Sequence, residues 1–246
     1  GHTGVAVGCS LLKLRALANI ERPAIATVFP TPTGPFVLLD AGAHMDAKPR
    51  HLVHYAIMGE VYARQILGVK TPRIGLLSVG AEAGKGNEVT KEAYRLLSNV
   101  EGLEFTGNVE GHDLFENAVD VVVCDGFVGN VVLKSCERLA VALSDILKER
   151  LRKNWIRKAG ALLSIGAYKE IKSISDREEY GGAPLLGVNG ICIIGHGSSS
   201  ARAVHNAIVV ATEFIEHQVN QHIVSRIESL HLAELSEKTA TANATQ

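Results

Sequence analysis

Five short runs of this chain are almost purely apolar: Ala24–Phe29, Phe36–Asp40, Ile74–Val79, Val119–Cys124 and Gly190–Ile194. They are rich in Val, Ile and Leu and do not alternate with polar residues, which is the pattern of parallel strands covered on both faces. Between them lie stretches with helical spacing, near Pro49–Leu67, Asn87–Leu97, Gly129–Arg157 and Ser199–Leu230. Strands alternating with helices of these lengths predict an α/β fold, a doubly wound and mainly parallel sheet. A helix-like run, Val5 to Leu17, follows the glycine-rich Gly1-His2-Thr3-Gly4. Such a turn normally has a strand in front of it, so the chain is expected to open inside a βα unit. A site built from these residues alone is then expected to be incomplete. One α/β unit is predicted over residues 1–235, with a helical hairpin over 144–176, and the polar 236–246 segment is predicted to be a disordered tail.

Composition narrows the class. Apolar residues make up 46% of the 246 and charged residues 21%, as in an ordinary globular protein. The formal net charge of −1 implies no general attraction to nucleic acid. Cys9, Cys124, Cys136 and Cys192 are scattered, form no CxxC pair and argue against a disulfide framework or a structural zinc site. No apolar run approaches the ~20 residues that span a bilayer.

The chemistry is concentrated where strands end. Phe36–Asp40 runs into Asp40-Ala41-Gly42-Ala43-His44-Met45-Asp46, and Ile74–Val79 runs into Gly80-Ala81-Glu82-Ala83-Gly84-Lys85-Gly86-Asn87. Val119–Cys124 runs into Asp125-Gly126-Phe127-Val128-Gly129-Asn130, and Gly190–Ile194 into Gly195-His196-Gly197-Ser198-Ser199. Open α/β sheets bind ligands outside the carboxyl ends of their strands. Glycine admits close backbone approach there, and the N–H groups of the next helix suit an anion. Any one of these turns is equally a tight turn, and Asp40 and Asp125 are equally helix caps. Four on one rim favour a binding site. The glycine-lysine loop is not a nucleotide P-loop: only three residues separate Gly80 from Gly84, and Gly86 follows Lys85. No G-x-G-x-x-G opens a helix after a strand, so nicotinamide or flavin binding is unsupported. Asp40 and Asp46 suggest magnesium and His51 and His54 a metal pair, but nothing supplies the remaining ligands, and no metal is predicted.

These loops, with Ala56-Ile57-Met58-Gly59, Gly107-Asn108-Val109-Glu110-Gly111 and Tyr180-Gly181-Gly182-Ala183, stand in an order that resembles the PlsX family of acyl-carrier-protein:phosphate acyltransferases. The likeness runs from Gly1 to about Ile223 and lacks the family's N-terminal portion. The family tends to have Asn where His2 and His44 stand, and acidic residues at Ala81 and Ala83. The resemblance implies transfer of an acyl group from acyl-acyl-carrier protein to inorganic phosphate, for phospholipid synthesis. It also implies no cofactor, a cytoplasmic homodimer, a glycerol-3-phosphate acyltransferase downstream, and a fold shared with isocitrate dehydrogenase-like and phosphotransacetylase-like enzymes.

On chemical grounds such an enzyme has little proton transfer to perform. The phosphate dianion forms with a pKa of ~6, judged from phosphate esters. The departing thiol has a pKa of ~8.5 if it resembles free cysteine. Binding, orientation and charge stabilisation therefore dominate. Lys85, His196, Asn130 and Asp125 are the candidate catalytic residues. Lys85 neutralises phosphate or oxyanion and Asn130 orients one of them. His196 protonates the departing sulfur or hydrogen-bonds the carbonyl oxygen, and Asp125 positions these groups. Thr3, Gly4, Asp40, Asp46, Asn87, Gly126, Gly129, Gly197 and Ser198 are the candidate substrate-binding residues.

A second region stands apart. From Lys148 to Lys172 there are eight Lys or Arg against two Glu, a local charge of +6. Trp155, Ile156, Leu162 and Leu163 lie among them. A basic amphipathic helical pair with an aromatic anchor fits contact with an anionic membrane surface and nearly equally a hairpin packed on a dimer partner; the family resemblance implies the membrane contact, through Trp155, Ile156, Leu162 and Leu163. Two other functions compete with the main reading: a short-chain phosphotransacylase using coenzyme A, and a non-catalytic carrier-protein-binding module.

Overall fold

The computed structural model describes residues 3–174, 182–197 and 199–230; the predicted tail and the last two positions of the predicted hairpin lie outside them. Seven strands form one sheet in the order β4-β3-β5-β2-β1-β6-β7. They are β1 (Ala24–Phe29), β2 (Phe36–Leu39), β3 (Arg73–Leu77), β4 (Glu104–Val109), β5 (Val121–Val123), β6 (Ala183–Leu186) and β7 (Ile193–Ile194). The ladders β4–β3, β3–β5 and β5–β2 are parallel. The ladders β2–β1, β1–β6 and β6–β7 are antiparallel. Five of the seven strands thus run one way, β1 and β7 against them, giving a mixed sheet with a parallel half and an antiparallel half.

The helices are α1 (Thr3–Leu14), α2 (Pro49–Gln65), α3 (Glu88–Leu97), α4 (Gly126–Arg152), α5 (Trp155–Leu163), α6 (Ile165–Ile174) and α7 (Ala201–Glu216), followed by α8 over 219–230. Strand periodicity divides the core. Val37, Leu39, Ile74, Leu76, Val121 and Val123 face α2, α3 and α8. Phe36, Leu38 and Val122 face the opposite way, with Phe29, Leu114 and the first turns of α4. The predicted strands are all present. In β1, β2, β3 and β5 the apolarity came from double-sided burial, which the antiparallel β1 shares with its parallel neighbours, whereas β7 is two half-buried residues. The single helix expected over Ser199–Leu230 is two, broken at His217-Gln218, where Gln218 takes φ 48°. Likewise the stretch Gly129–Arg157 breaks after Arg152, and Asn154 caps α5 by accepting from Arg157 N–H at 2.9 Å.

Helix α2 lies close on the sheet because Gly59 faces β5. A Cβ there would come 2.5 Å from Val121 Cγ1. No helix among the described residues is long and apolar enough to cross a membrane.

Candidate functional site

The loop 40–46 is organised by one buried side chain. Asp40 is fully buried, and its carboxylate accepts backbone N–H bonds from Ile25 (3.0 Å), Gly42 (3.0 Å), Ala43 (2.8 Å) and His44 (2.7 Å). Burial pushes the Asp40 carboxyl above the usual range, against the four N–H groups that favour the ionised form. Both of its oxygens are engaged, so Asp40 shapes the loop from beneath and presents nothing to a ligand.

The start of α4 seats on this loop through glycines. Gly126 donates its N–H to His44 O at 3.0 Å, and a Cβ on it would lie 2.7 Å from Asp40 Oδ2 and from His44 O. Gly129 packs on the Asp40 carbonyl, where no Cβ fits. Asp125 caps the helix, accepting from Val128 N–H at 2.9 Å. The Gly126 N–H, expected among the substrate-binding groups, is thus engaged within the protein, and Gly126 and Gly129 make room for a close approach. Asn130, one turn in, stands over Gly42, whose φ of +128° only glycine adopts readily.

A cleft of about 1110 Å³ opens above this seat. Thr3 and Gly4 at the start of α1, Gly42 and Ala43, Asn130, and His196 with Ser199 before α7 are in its wall. The N-termini of α1 and α7 both reach it, and helix N-termini favour anions through unpaired N–H groups and the helix dipole. Ser199 holds the turn at its mouth: His196 N–H donates to Ser199 Oγ, and Ser199 N–H to His196 O, each at 3.0 Å. Lys134 and Glu137 of α4, paired at 3.1 Å, are the Lys and Glu of the wall.

His44 flanks the loop. Its ring meets that of buried His51 at 5.5 Å, edge to face, and desolvation, Arg22 and His51 together lower its pKa. His51 Nδ1 accepts from Lys48 N–H at 3.1 Å and its Nε2 lies 3.0 Å from Glu21 Oε2.

Of the predicted residues, the structure brings Thr3, Gly4, Asn130 and His196 into one cleft, with Asp40, Gly126 and Gly129 beneath it. Asp46 is exposed at the end of its loop. Lys85 and Asn87 lie elsewhere. They follow β3, two strand spacings, roughly 10 Å, along the sheet edge from β2. There Asn87 caps α3, accepting from Thr90 N–H at 2.9 Å, and exposed Lys85 donates its N–H to Glu82 O at 2.9 Å. Gly197 is exposed beside His196, and Ser198 lies outside the described residues. The four turns do not all share one rim. β7 runs antiparallel to β6, so the 195–199 turn leaves the sheet in the opposite sense from the other three.

The sequence reading missed the apolar side of the cleft, where α7 contributes Ala203, Ala207, Ala211 and Ile215 and the β7 segment Ile191 and Ile193. Their i, i+4 spacing was visible, but an apolar helix face reads as core until its neighbours are known.

Known proteins resemble the whole of this frame. A family model described as "Fatty acid synthesis protein" matches residues 1–222. A protein from Pelotomaculum thermopropionicum named phosphate acyltransferase is 54% identical over 94% of this chain and 68% of its own length. Another from Pelobacter propionicus with the same name is 46% identical over 99% of this chain and 70% of its own. The chain thus spans about two thirds of the length of these curated relatives. Among solved structures, a phosphotransacetylase from Streptococcus pyogenes superposes with a TM-score of 0.58, covering 88% of this chain and 61% of the other, at 18% identity, a likeness of fold. With a family model over nine tenths of its residues and relatives near half identity that share one name, the chain belongs to the fatty acid synthesis protein family of phosphate acyltransferases.

Proposed function

We propose that the chain, in its full-length form, carries out acyl-acyl-carrier protein:phosphate acyltransfer. A phosphate oxygen attacks the thioester carbonyl carbon, the C–S bond breaks, acyl phosphate leaves, and the thiolate takes up a proton. The observation that carries this reading is one cleft with an anion-favouring polar end and an apolar side, in a member of this family. Phosphate sits against the N–H groups near Thr3-Gly4 and Gly197-Ser198. Asn130 orients it, and His196 serves the departing sulfur or the carbonyl oxygen. Lys85 supplies charge from a neighbouring strand end, and Asp125 acts through its cap on α4. Replacing His196 or Lys85 with Ala is expected to lower turnover by at least about a hundredfold at unchanged stability, the usual scale for a group in acid–base or oxyanion work. Unchanged turnover removes that residue from the site.

The direct test is thiol release from palmitoyl-carrier protein, with and without phosphate, by this chain and by one extended at its N-terminus to the length of its relatives. Phosphate-dependent release establishes the reaction, and release by neither form overturns it. The likeness in fold to a phosphotransacetylase keeps a short-chain coenzyme A reaction as the second reading, favoured if acetyl-coenzyme A outpaces the carrier-protein thioester.

The family's isocitrate dehydrogenase-like architecture, a homodimer and delivery of acyl phosphate to a glycerol-3-phosphate acyltransferase belong to the same proposal. So does a cytoplasmic protein resting on the membrane through the α5 region. Trp155, Ile156, Leu162 and Leu163 are all more than 60% exposed amid the basic cluster, as an anchor requires. Retention on anionic liposomes is expected, and equal retention of a Leu162→Glu, Leu163→Glu variant overturns the anchor.

A further inference from the structure

Asp40, His51, Glu60 and Asn108 are the buried polar or charged residues among those described. Asp40 shapes its loop, His51 meets Lys48 and Glu21, and Glu60 is paired with Arg64 at 2.8 Å and Arg226 at 3.3 Å. Asn108 alone has no part in what has been described so far. It lies on the edge strand β4, and its Nδ2 donates to Glu82 O at 2.8 Å. The same carbonyl accepts Lys85 N–H at 2.9 Å, so Asn108 ties the closing bond of the Glu82–Lys85 turn to the sheet. The device repeats that of Asp40, a buried side chain that fastens a strand-end loop through its backbone.

Asn108 owes its place to a bulge. Ile74 of β3 pairs with Phe105 but Gly75 pairs with Gly107, so β4 carries one extra residue, Thr106. Phe105 and Val109 consequently pack on different core clusters, although residues four apart in a regular strand share a face. The bulge thus sets the face on which Asn108 stands. The placement has a cost: Asn108 Oδ1 is buried with no hydrogen-bond partner among the described residues, an arrangement that stability by itself does not favour. Lys85, in turn, is exposed and absent from the wall of the cleft, so in the reading above it acts from a neighbouring strand end. A flexible four-carbon stem does that efficiently only from a fixed base. Its Cγ lies 2.8 Å from where a Cβ on Gly80 would stand, so the stem runs close over that glycine.

We propose that Asn108 is the positioning residue of Lys85: through the Glu82 carbonyl it fixes the turn from which the ammonium meets phosphate or the developing oxyanion. The inference rests on the acyl transfer proposed above and adds a residue that touches neither substrate.

The test measures phosphate-dependent thiol release from palmitoyl-carrier protein by the chain extended to the length of its relatives. Asn108→Ala and the similarly sized Asn108→Leu should each lower kcat/KM by about tenfold to a hundredfold, the scale of a misplaced group. The urea midpoint should move little, because the lost hydrogen bond is offset by removal of the unpaired Oδ1. The loss should fall on the same parameter as in Lys85→Ala, kcat or the KM for phosphate. In the Lys85→Ala background, Asn108→Ala should add less than about twofold, since a residue that acts through Lys85 has nothing left to place. Unaltered turnover in the Asn108 variants overturns the proposal, and so does a loss that multiplies in full on top of Lys85→Ala, the mark of a merely structural role. Hydrogen exchange over residues 80–87 reads the tie without catalysis and should quicken several-fold in Asn108→Leu; exchange as slow as in the unaltered protein also overturns it. The failures are distinguishable. No release by the unaltered protein removes the acyl-transfer reading and this proposal together. Full turnover in Lys85→Ala removes Lys85 and Asn108 but leaves acyl transfer standing, and multiplicative losses remove Asn108 alone.

Discussion

Helix α4 is two different objects along its length. Its first three turns are pressed onto the sheet: Gly126 and Gly129 are buried against the Asp40 loop, and Val132, Leu133 and Cys136 pack on the second core cluster. From Arg138 to Arg150 every residue is exposed, including Leu139, Val141, Leu143, Ile146 and Leu147. One regular backbone thus runs from a place where a single methyl group does not fit to one where apolar side chains touch water. Helical hydrogen bonding is the same in both halves. What differs is what each half is packed against, and that decides which residues are irreplaceable.

The sharpest way to break the contrast is in the seated half. Gly129→Ala puts a Cβ into the Asp40 carbonyl, and overpacking of backbone against backbone is expected to cost about 3 kcal/mol or more. A urea midpoint that barely moves would mean that α4 is not held on the loop as described. Next in size, Tyr55→Phe should stabilise by about 1 kcal/mol, because the fully buried Tyr55 hydroxyl has no hydrogen-bond partner among the described residues and its desolvation is uncompensated. A loss of stability on that substitution would point to a bonded hydroxyl. In the exposed region beyond α4, the Leu162→Glu, Leu163→Glu pair should leave the unfolding free energy from urea titration within about 0.5 kcal/mol of the unaltered protein, as surface changes do.

The smallest effect is a pH dependence beside the loop. The hydrogen bond from His51 holds the half-exposed Glu21 carboxyl below its ordinary value of 4.5. A carboxylate with a depressed folded pKa contributes stability above its unfolded pKa and loses it as pH falls through the folded one. Glu21→Gln should therefore lower thermal stability slightly near neutrality and flatten its decline below about pH 4.5. An identical acid profile in both proteins would show that the pair contributes nothing.

Much of this was legible beforehand, for reasons that differ from element to element. Phe36–Asp40 and Val119–Cys124 announced themselves because a strand buried on both faces has no room for polar residues. Asn87, Asp125 and Ser200 cap helices as their residue types suggest. Strand β4, Glu104-Phe105-Thr106-Gly107-Asn108-Val109, went unseen because at the edge of the sheet it carries polar residues and glycine. The direction of β1 was also hidden, since burial on both faces looks alike in parallel and antiparallel ladders. The break at Gln218, where φ is 48°, has no glycine or proline to mark it.

The sequence by itself determined the α/β class, the turns where polar residues and glycines meet, and the family, because each depends on residues near one another in the chain. Only the tertiary structure decided which of those turns share a cleft. Asp40 and Gly129 are far apart in sequence and in contact in space, whereas Lys85, alike in promise to Asn130, is absent from the wall of the cleft that Asn130 lines. It also turned the apolar face of α7 from ordinary core pattern into the wall of a cavity. Hydrophobic spacing says that a face is covered, and only the packing of its neighbours says whether protein or ligand covers it.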